Sequence, residues 1–144
     1  MKPRKFLNKQ PQGTKRVILD TSFLILSLQL GIDPYFEIKT ILGDATLIVY
    51  DVVLSEIRKL SYERSERGIT ARIVLQYLEK LISEGKVKVE SSENVKDVDV
   101  FLLLKADKED SYLATVDKEL RKRARRLGVK TVFVRLTKKK IEID

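Results

Sequence analysis

Arg16-Val17-Ile18-Leu19-Asp20-Thr21-Ser22-Phe23-Leu24-Ile25-Leu26 reads as a strand that runs straight into a helix, with a single acid at the join. Val17-Ile18-Leu19 is apolar and of strand length. The apolar run from Phe23 continues at helical length until Gly31 and Pro34 stop it. In open α/β sheets, ligands bind in the crevice beyond the carboxyl ends of the strands. Asp20 stands at such an end.

The same alternation repeats downstream. Pro34 to Leu42 predicts a second helix ending at Gly43, and Thr46-Leu47-Ile48-Val49-Tyr50 a buried strand. Asp51 is placed to cap a helix carrying Leu54, Ile57 and Leu60, and Tyr62 to Gly68 is a polar, exposed connection. Thr70 is placed to cap a further helix with Ala71, Val74, Leu75, Leu78, Leu81 and Ile82 on one face, stopped by Gly85. Val87-Lys88-Val89 reads as a short strand. Either Asp97 or Asp99 opens the helix through Phe101-Leu102-Leu103-Leu104. Ser111 to Thr115 is a strand, Lys118 to Leu127 a basic helix stopped by Gly128, and Thr131 to Leu136 a last strand. Strands alternating with helices imply an α/β fold of three layers, α/β/α, with a mainly parallel central sheet. Residues 1–15 read as a basic flexible arm with Lys2, Arg4, Lys5, Lys9 and Lys15, residues 16–137 as the domain, and residues 138–144 as a short charged tail.

Composition narrows the chemistry. The 144 residues suit one domain and include no Cys and no His. Disulfides, Cys/His zinc sites and Ser-His-Asp or Cys-His catalysis are therefore excluded. No glycine-rich phosphate loop is present. The 29 basic residues against 21 acids leave a net charge of +8, which favours a polyanionic partner, nucleic acid first among them, over mere solubility. No apolar run approaches the ~18 residues of a membrane span, and the polar, basic N-terminus lacks the apolar stretch of a secretory signal. A cytoplasmic location is expected.

Four acids share a setting. Asp20 and Asp117 follow strands, Glu56 lies in the helix after the second strand, and Asp99 opens a helix that leads to another. Parallel strands with right-handed crossovers put their ends on one edge, so acids far apart in sequence can converge there. Two carboxylates about 4 Å apart repel by roughly 4 kcal/mol at an effective dielectric near 20, so such a cluster must bind a cation or take up protons. Oxygen ligands of this kind select Mg²⁺ or Mn²⁺, and a metal-activated water can attack a phosphodiester without a histidine base. Each acid also has a plainer explanation. Asp20, Asp97, Asp99 and Asp117 can each cap a helix, and Glu56 can be a solvated helix residue.

Val-Ile-Leu-Asp-Thr-Ser-Phe-Leu from Val17, Leu-Ile-Val-Tyr-Asp-Val-Val-Leu-Ser-Glu-Ile from Leu47, Asp-Val-Asp-Val-Phe-Leu from Asp97 and Tyr-Leu-Ala-Thr-Val-Asp-Lys-Glu-Leu from Tyr112 together resemble the PIN-domain ribonucleases. The resemblance covers about residues 15 to 136. It is sharpest in the block from Ala114 to Val129, which is most similar to the archaeal and eukaryotic PIN endonucleases that process ribosomal RNA, and less so to VapC toxins. It implies a metal-dependent endoribonuclease in which Asp20, Glu56, Asp99 and Asp117 are catalytic and hold Mg²⁺ or Mn²⁺, with Thr115, Thr21, Ser22 and Asp97 in support. The family's tight spacing at the third acid leaves a choice between Asp97 and Asp99.

The basic helix carries Lys118, Arg121, Lys122, Arg123, Arg125 and Arg126 against one acid, Glu119. That density points to contact with RNA phosphates, where the alternative is a solvated face that also suits the helix dipole. The expected partner is RNA, in single-stranded regions or in ribosomal RNA. A homodimer or an antitoxin partner is compatible with the sequence. Two rivals are a PIN-type module that binds RNA without cutting, and a receiver-type phospho-acceptor domain. The second needs a paired acid at Asp20 that is absent.

Overall fold

The computed structural model describes residues 14–144. The expected basic arm lies almost wholly outside them, and Lys15 belongs to the first strand. β1 (Lys15–Leu19) passes through Asp20 into α1 (Thr21–Gln29), followed by α2 (Pro34–Leu42), β2 (Ala45–Tyr50) and α3 (Asp51–Ser61). Then come α4 (Glu66–Ser83), β3 (Val87–Glu90), α5 (Val98–Lys108), β4 (Tyr112–Ala114), α6 (Lys118–Leu127), β5 (Thr131–Arg135) and β6 (Lys140–Ile143). The six strands form one sheet in the order β3-β2-β1-β4-β5-β6, parallel throughout except for the β5–β6 pair. This is the α/β architecture expected from the alternation. None of the described helices is long and apolar enough to cross a membrane.

Register decides which side chains meet. Ile18 pairs with Ile48 and with Leu113, and Leu113 with Thr131, so Ile18, Ile48, Leu113 and Thr131 share one face of the sheet. Tyr50 lies on that face, where Phe101 of α5 meets it edge-on at 5.0 Å between ring centroids. Phe133 lies there too, under Arg121 of α6. α5 and α6 therefore cover this face. Val17, Leu19, Leu47 and Val49 point the other way and are fully or almost fully buried, as are Phe23 and Leu24 of α1, Ile57 of α3 and Val74 and Leu78 of α4. β1 has neighbours on both sides and helices above and below, which is why its sequence is a continuous apolar run.

Three local expectations change. Asp51 does not cap α3. Tyr50 is the N-cap, and the Asp51 carboxylate instead accepts from the backbone and side chain of Ser92, which holds it below the usual carboxylate range. Thr70 does not cap α4. Ser65 does, accepting from Gly68 N at 3.1 Å, and α4 starts five residues earlier than Thr70 would allow. Glu109 accepts from Arg16 at 2.8 Å in a half-buried group with Glu90 and Tyr50. Residues 138–144, expected as a charged tail, contain β6. Its Ile141 is buried against the core while Lys140 stays exposed, the pattern of an edge strand whose charges keep other strands away.

Candidate active site

The Leu19–Ala114 pairing sets Asp20 level with Thr115 on the face covered by α5 and α6, and the backbone N–H of Asp20 donates to Ala114 O at 2.9 Å. Both residues are buried, Asp20 at 5% exposure and Thr115 at 0%. Asp20 precedes α1 but makes no side-chain cap to it. Its Oδ2 instead accepts from Thr115 Oγ1 at 2.7 Å and from Ser22 Oγ at 2.8 Å. Thr115 Oγ1 in turn accepts from Asp117 N at 3.2 Å, and Ser22 Oγ from Val116 N at 3.3 Å. The ends of β1 and β4 are thus laced together around one buried carboxylate.

An open cleft of about 640 Å³ lies over this knot. Asp20, Glu56, Asp99 and Asp117 all line it, brought together from β1, α3, α5 and the β4–α6 junction. Thr21 Oγ1 donates to Glu56 Oε1 at 2.7 Å, fixing the helix acid against the start of α1. Asp97 is the N-cap of α5, accepting from Val100 N at 3.1 Å, and lies outside the cleft lining. Asp99, one residue inside the helix, faces the cleft. Geometry thus separates the two acids that the sequence left open. Asp117 does both jobs: its Oδ1 caps α6 through Glu119 N and Leu120 N, and the residue lines the cleft.

The electrostatics follow from this crowding. Burial pushes the Asp20 carboxyl above its ordinary value, the nearby Glu56 adds to this, and the hydrogen bonds from Thr115 and Ser22 oppose it. Burial also raises Asp99, helped by the charges of Asp20, Asp117 and Asp97, while Arg123 pulls the other way. Arg123 is thus a cation of α6 whose charge is felt at Asp99. Arg121 and Arg125 do not face the cleft; both donate to Asp144 at the other end of the helix. Lys118, Lys122 and Arg126 are exposed.

Two cations in the cleft escaped the sequence analysis. Lys59 and Arg67 line it together with Leu60, Glu63 and Gln29. Lys59 lies three residues after Glu56 and so on the same face of α3, a spacing visible in the sequence. Arg67 reaches the cleft only because α4 folds back on α3 at the turn before Gly68. A Cβ at Gly68 would lie 2.0 Å from the Glu63 carbonyl oxygen, so only glycine permits this approach.

These features define the class of protein. The chain belongs to the PIN-like domain family, whose model matches residues 17–137, and PIN domains are generally nucleases. Among solved structures it is similar to the PIN domain endonuclease Utp24, with 25% identity over 90% of both chains and a TM-score of 0.73. It is also similar to a domain of a functionally unknown protein from Methanocaldococcus jannaschii, with 24% identity, a TM-score of 0.61, and 84% of this chain and 91% of that one covered. A PilT N-terminus domain protein from the archaeon Sulfolobus solfataricus P2 is 13% identical with a TM-score of 0.51, covering 82% of this chain and 86% of that one. The last two likenesses are of fold. No curated protein matches the chain in sequence.

PIN nucleases generally use a divalent metal such as Mg²⁺. Among the described residues, no three acids are spaced to grip an ion at once. The cleft nevertheless offers carboxylates and hydroxyls, without nitrogen or sulfur ligands, and acidic neighbours help raise the pKa of Asp20 and Asp99. Such a site fits a hard cation that keeps most of its water and takes one or two carboxylates directly, which is the habit of Mg²⁺.

Proposed function

We propose that this chain is a divalent-metal-dependent endoribonuclease that cuts single-stranded RNA, with ribosomal RNA precursors as its substrate class. The observation that supports it best is the convergence of Asp20, Glu56, Asp99 and Asp117 on one open cleft, with Asp20 buried and held by two hydroxyl donors. A lone buried carboxylate without a cationic partner is costly, and a fold that keeps one beside three more acids does so for what it binds. The likeness to Utp24, an endonuclease, supports the cutting activity.

Asp20, Glu56, Asp99 and Asp117 would hold Mg²⁺ or Mn²⁺. A bound ion supplies Lewis-acid stabilisation of phosphoryl charge and an acidified water. The chain's own residues do the rest. Thr115 and Ser22 fix the rotamer of Asp20, so the carboxylate spends little entropy on binding. Thr21 does the same for Glu56. Asp99 lines the cleft among acidic neighbours, where a bound cation would relieve the mutual repulsion. Lys59 and Arg67 in the cleft lining, and Arg123 close enough to act on Asp99, offset the negative charge that a phosphodiester brings into an acidic cleft. The open shape admits a strand without a lid.

The test is cleavage of end-labelled single-stranded RNA with Mn²⁺, with Mg²⁺ and with a chelator. The proposal expects cutting with either ion, abolished by chelation and restored by excess metal. RNA that is bound but left intact under all conditions makes the chain a non-cleaving RNA-binding module.

A further inference from the structure

A second pocket, of about 170 Å³, opens at the end of α6 remote from the acids, between that helix, the start of β5 and the end of β6. Its walls carry Arg121, Arg125, Lys130 and Thr131, and one acid, Asp144. The Val132–Ile143 pairing sets Asp144 opposite Thr131, and Asp144 N donates to Thr131 O at 2.8 Å. A single carboxylate oxygen, Asp144 Oδ2, accepts from Arg125 at 2.7 Å and from Arg121 at 3.2 Å. The Arg121 guanidinium lies 3.6 Å over the Phe133 ring, which fixes its plane.

Donors far outnumber acceptors here. Each guanidinium has five N–H groups. Arg121 Nε and the Thr131 hydroxyl are buried with no hydrogen-bond partner, and Thr131 is 1% exposed. Buried polar groups are nearly always paired, so two orphans lining one small pocket mark a place where an acceptor belongs. Against three cations, one carboxylate leaves a positive surplus. A tetrahedral oxyanion would use several donors together, and paired arginine forks suit phosphate in particular.

We infer that this pocket is a phosphate-binding site, which Asp144 partly fills with its own carboxylate. The ligand is a phosphate group, either free phosphate or a phosphodiester of a nucleic acid. Arg121 and Arg125 lie four and eight residues along α6 from the cleft residue Asp117, roughly 6 and 12 Å at ~1.5 Å per residue, and the two linings share no residue. The site is therefore distinct from that cleft and does not depend on whether the cleft cuts RNA.

The test is an NMR titration of the full chain with inorganic phosphate, following the amides of Arg125, Lys130 and Thr131. Saturable shifts at these positions are expected. Arg125→Gln should weaken phosphate binding about tenfold, the loss of one charge-assisted contact. Thr131→Val, which keeps the shape and removes only the unpaired hydroxyl, should weaken it severalfold. Asp144→Asn should tighten it, because the competing charge is gone. Phosphate binding indifferent to all three substitutions, or no shifts at these amides, overturns the inference. A second arm titrates a short single-stranded RNA into the same variants. If Arg125→Gln weakens RNA as well as phosphate, the site takes a phosphodiester. If it weakens phosphate alone, the site takes free phosphate. Both results uphold the pocket and leave the nuclease proposal to its own assay.

Discussion

Thr115 Oγ1 donates to Asp20 Oδ2 at 2.7 Å, and both side chains are buried, so one hydrogen bond joins the carboxyl ends of β4 and β1 beneath the cleft. Thr115→Val removes the donor but keeps the shape. Asp20 is then left with Ser22 as its side-chain donor, and an under-satisfied buried carboxylate costs about 1–3 kcal/mol. Urea denaturation should show that loss, and RNA cleavage should fall with it. Thr115→Ser should restore both. A valine variant as stable and as active as the unaltered chain would show that the bond does not position Asp20.

Asp20 itself should trade stability for function. Its folded pKa lies above the 3.8 of an ordinary Asp, chiefly through burial. The folded state therefore keeps its proton to a higher pH than the unfolded chain does. Between the two pKa values stability falls as pH rises, and above the folded pKa the full cost is present. Asp20→Asn should accordingly be more stable than the unaltered chain at pH 7 without metal. The advantage should vanish as pH falls toward 4. Mn²⁺ should raise the melting temperature of the unaltered chain and leave Asp20→Asn unmoved. Thermal melts at several pH values, with and without Mn²⁺, measure all three effects. An asparagine variant that melts lower at pH 7 without metal would contradict this account of Asp20.

Gly68 makes the hairpin between α3 and α4 possible. Gly68→Ala forces a Cβ onto the Glu63 carbonyl and should cost about 1–3 kcal/mol or more. It should also displace Arg67 from the cleft wall and weaken RNA binding. Arg67→Gln separates the two effects: it should weaken RNA binding at near-unaltered stability, as a calorimetric melt beside a filter-binding titration would show.

Much of this was legible in the sequence, for reasons that differ by element. β1, α1 and the basic helix α6 announce themselves through local signals: an apolar run, a capping acid, a terminal glycine. The convergence of Asp20, Asp99 and Asp117 follows from parallel topology, because the carboxyl ends of β1 to β5 fall on the same edge. What stayed hidden depends on contacts distant in sequence. β6 carries three lysines at its approach and looks like a tail until Ile141 is seen to fill a place in the core. Arg121 and Arg125 look equivalent to Lys122 and Arg126 by composition, and only the β5–β6 pairing brings Asp144 to claim them. Ser65 outcompetes Thr70 as a cap because the chain turns earlier, at Gly68.

That division of the basic helix has a measurable consequence. Lys122 and Arg126 are exposed on the outer side of α6. If RNA runs along this face, converting both to Ala should flatten the slope of log K against log salt by about 1.4, as expected for two phosphate contacts with a single strand. An unchanged slope would place the RNA path elsewhere, along Lys59 and Arg67.

The central claim is that the cleft acids perform chemistry and are not merely caps or surface charge, and paired substitutions at Asp99 and Asp97 test it most directly. Asp99 lines the cleft, whereas Asp97 caps α5 two residues away. Cleavage of labelled single-stranded RNA with Mn²⁺ should be abolished in Asp99→Asn while RNA affinity holds or rises, because a negative charge has left the phosphate's surroundings. Asp97→Asn should keep its activity, since asparagine still caps a helix. Cleavage that persists unchanged in Asp99→Asn, or that is lost only in Asp97→Asn, would contradict the assignment.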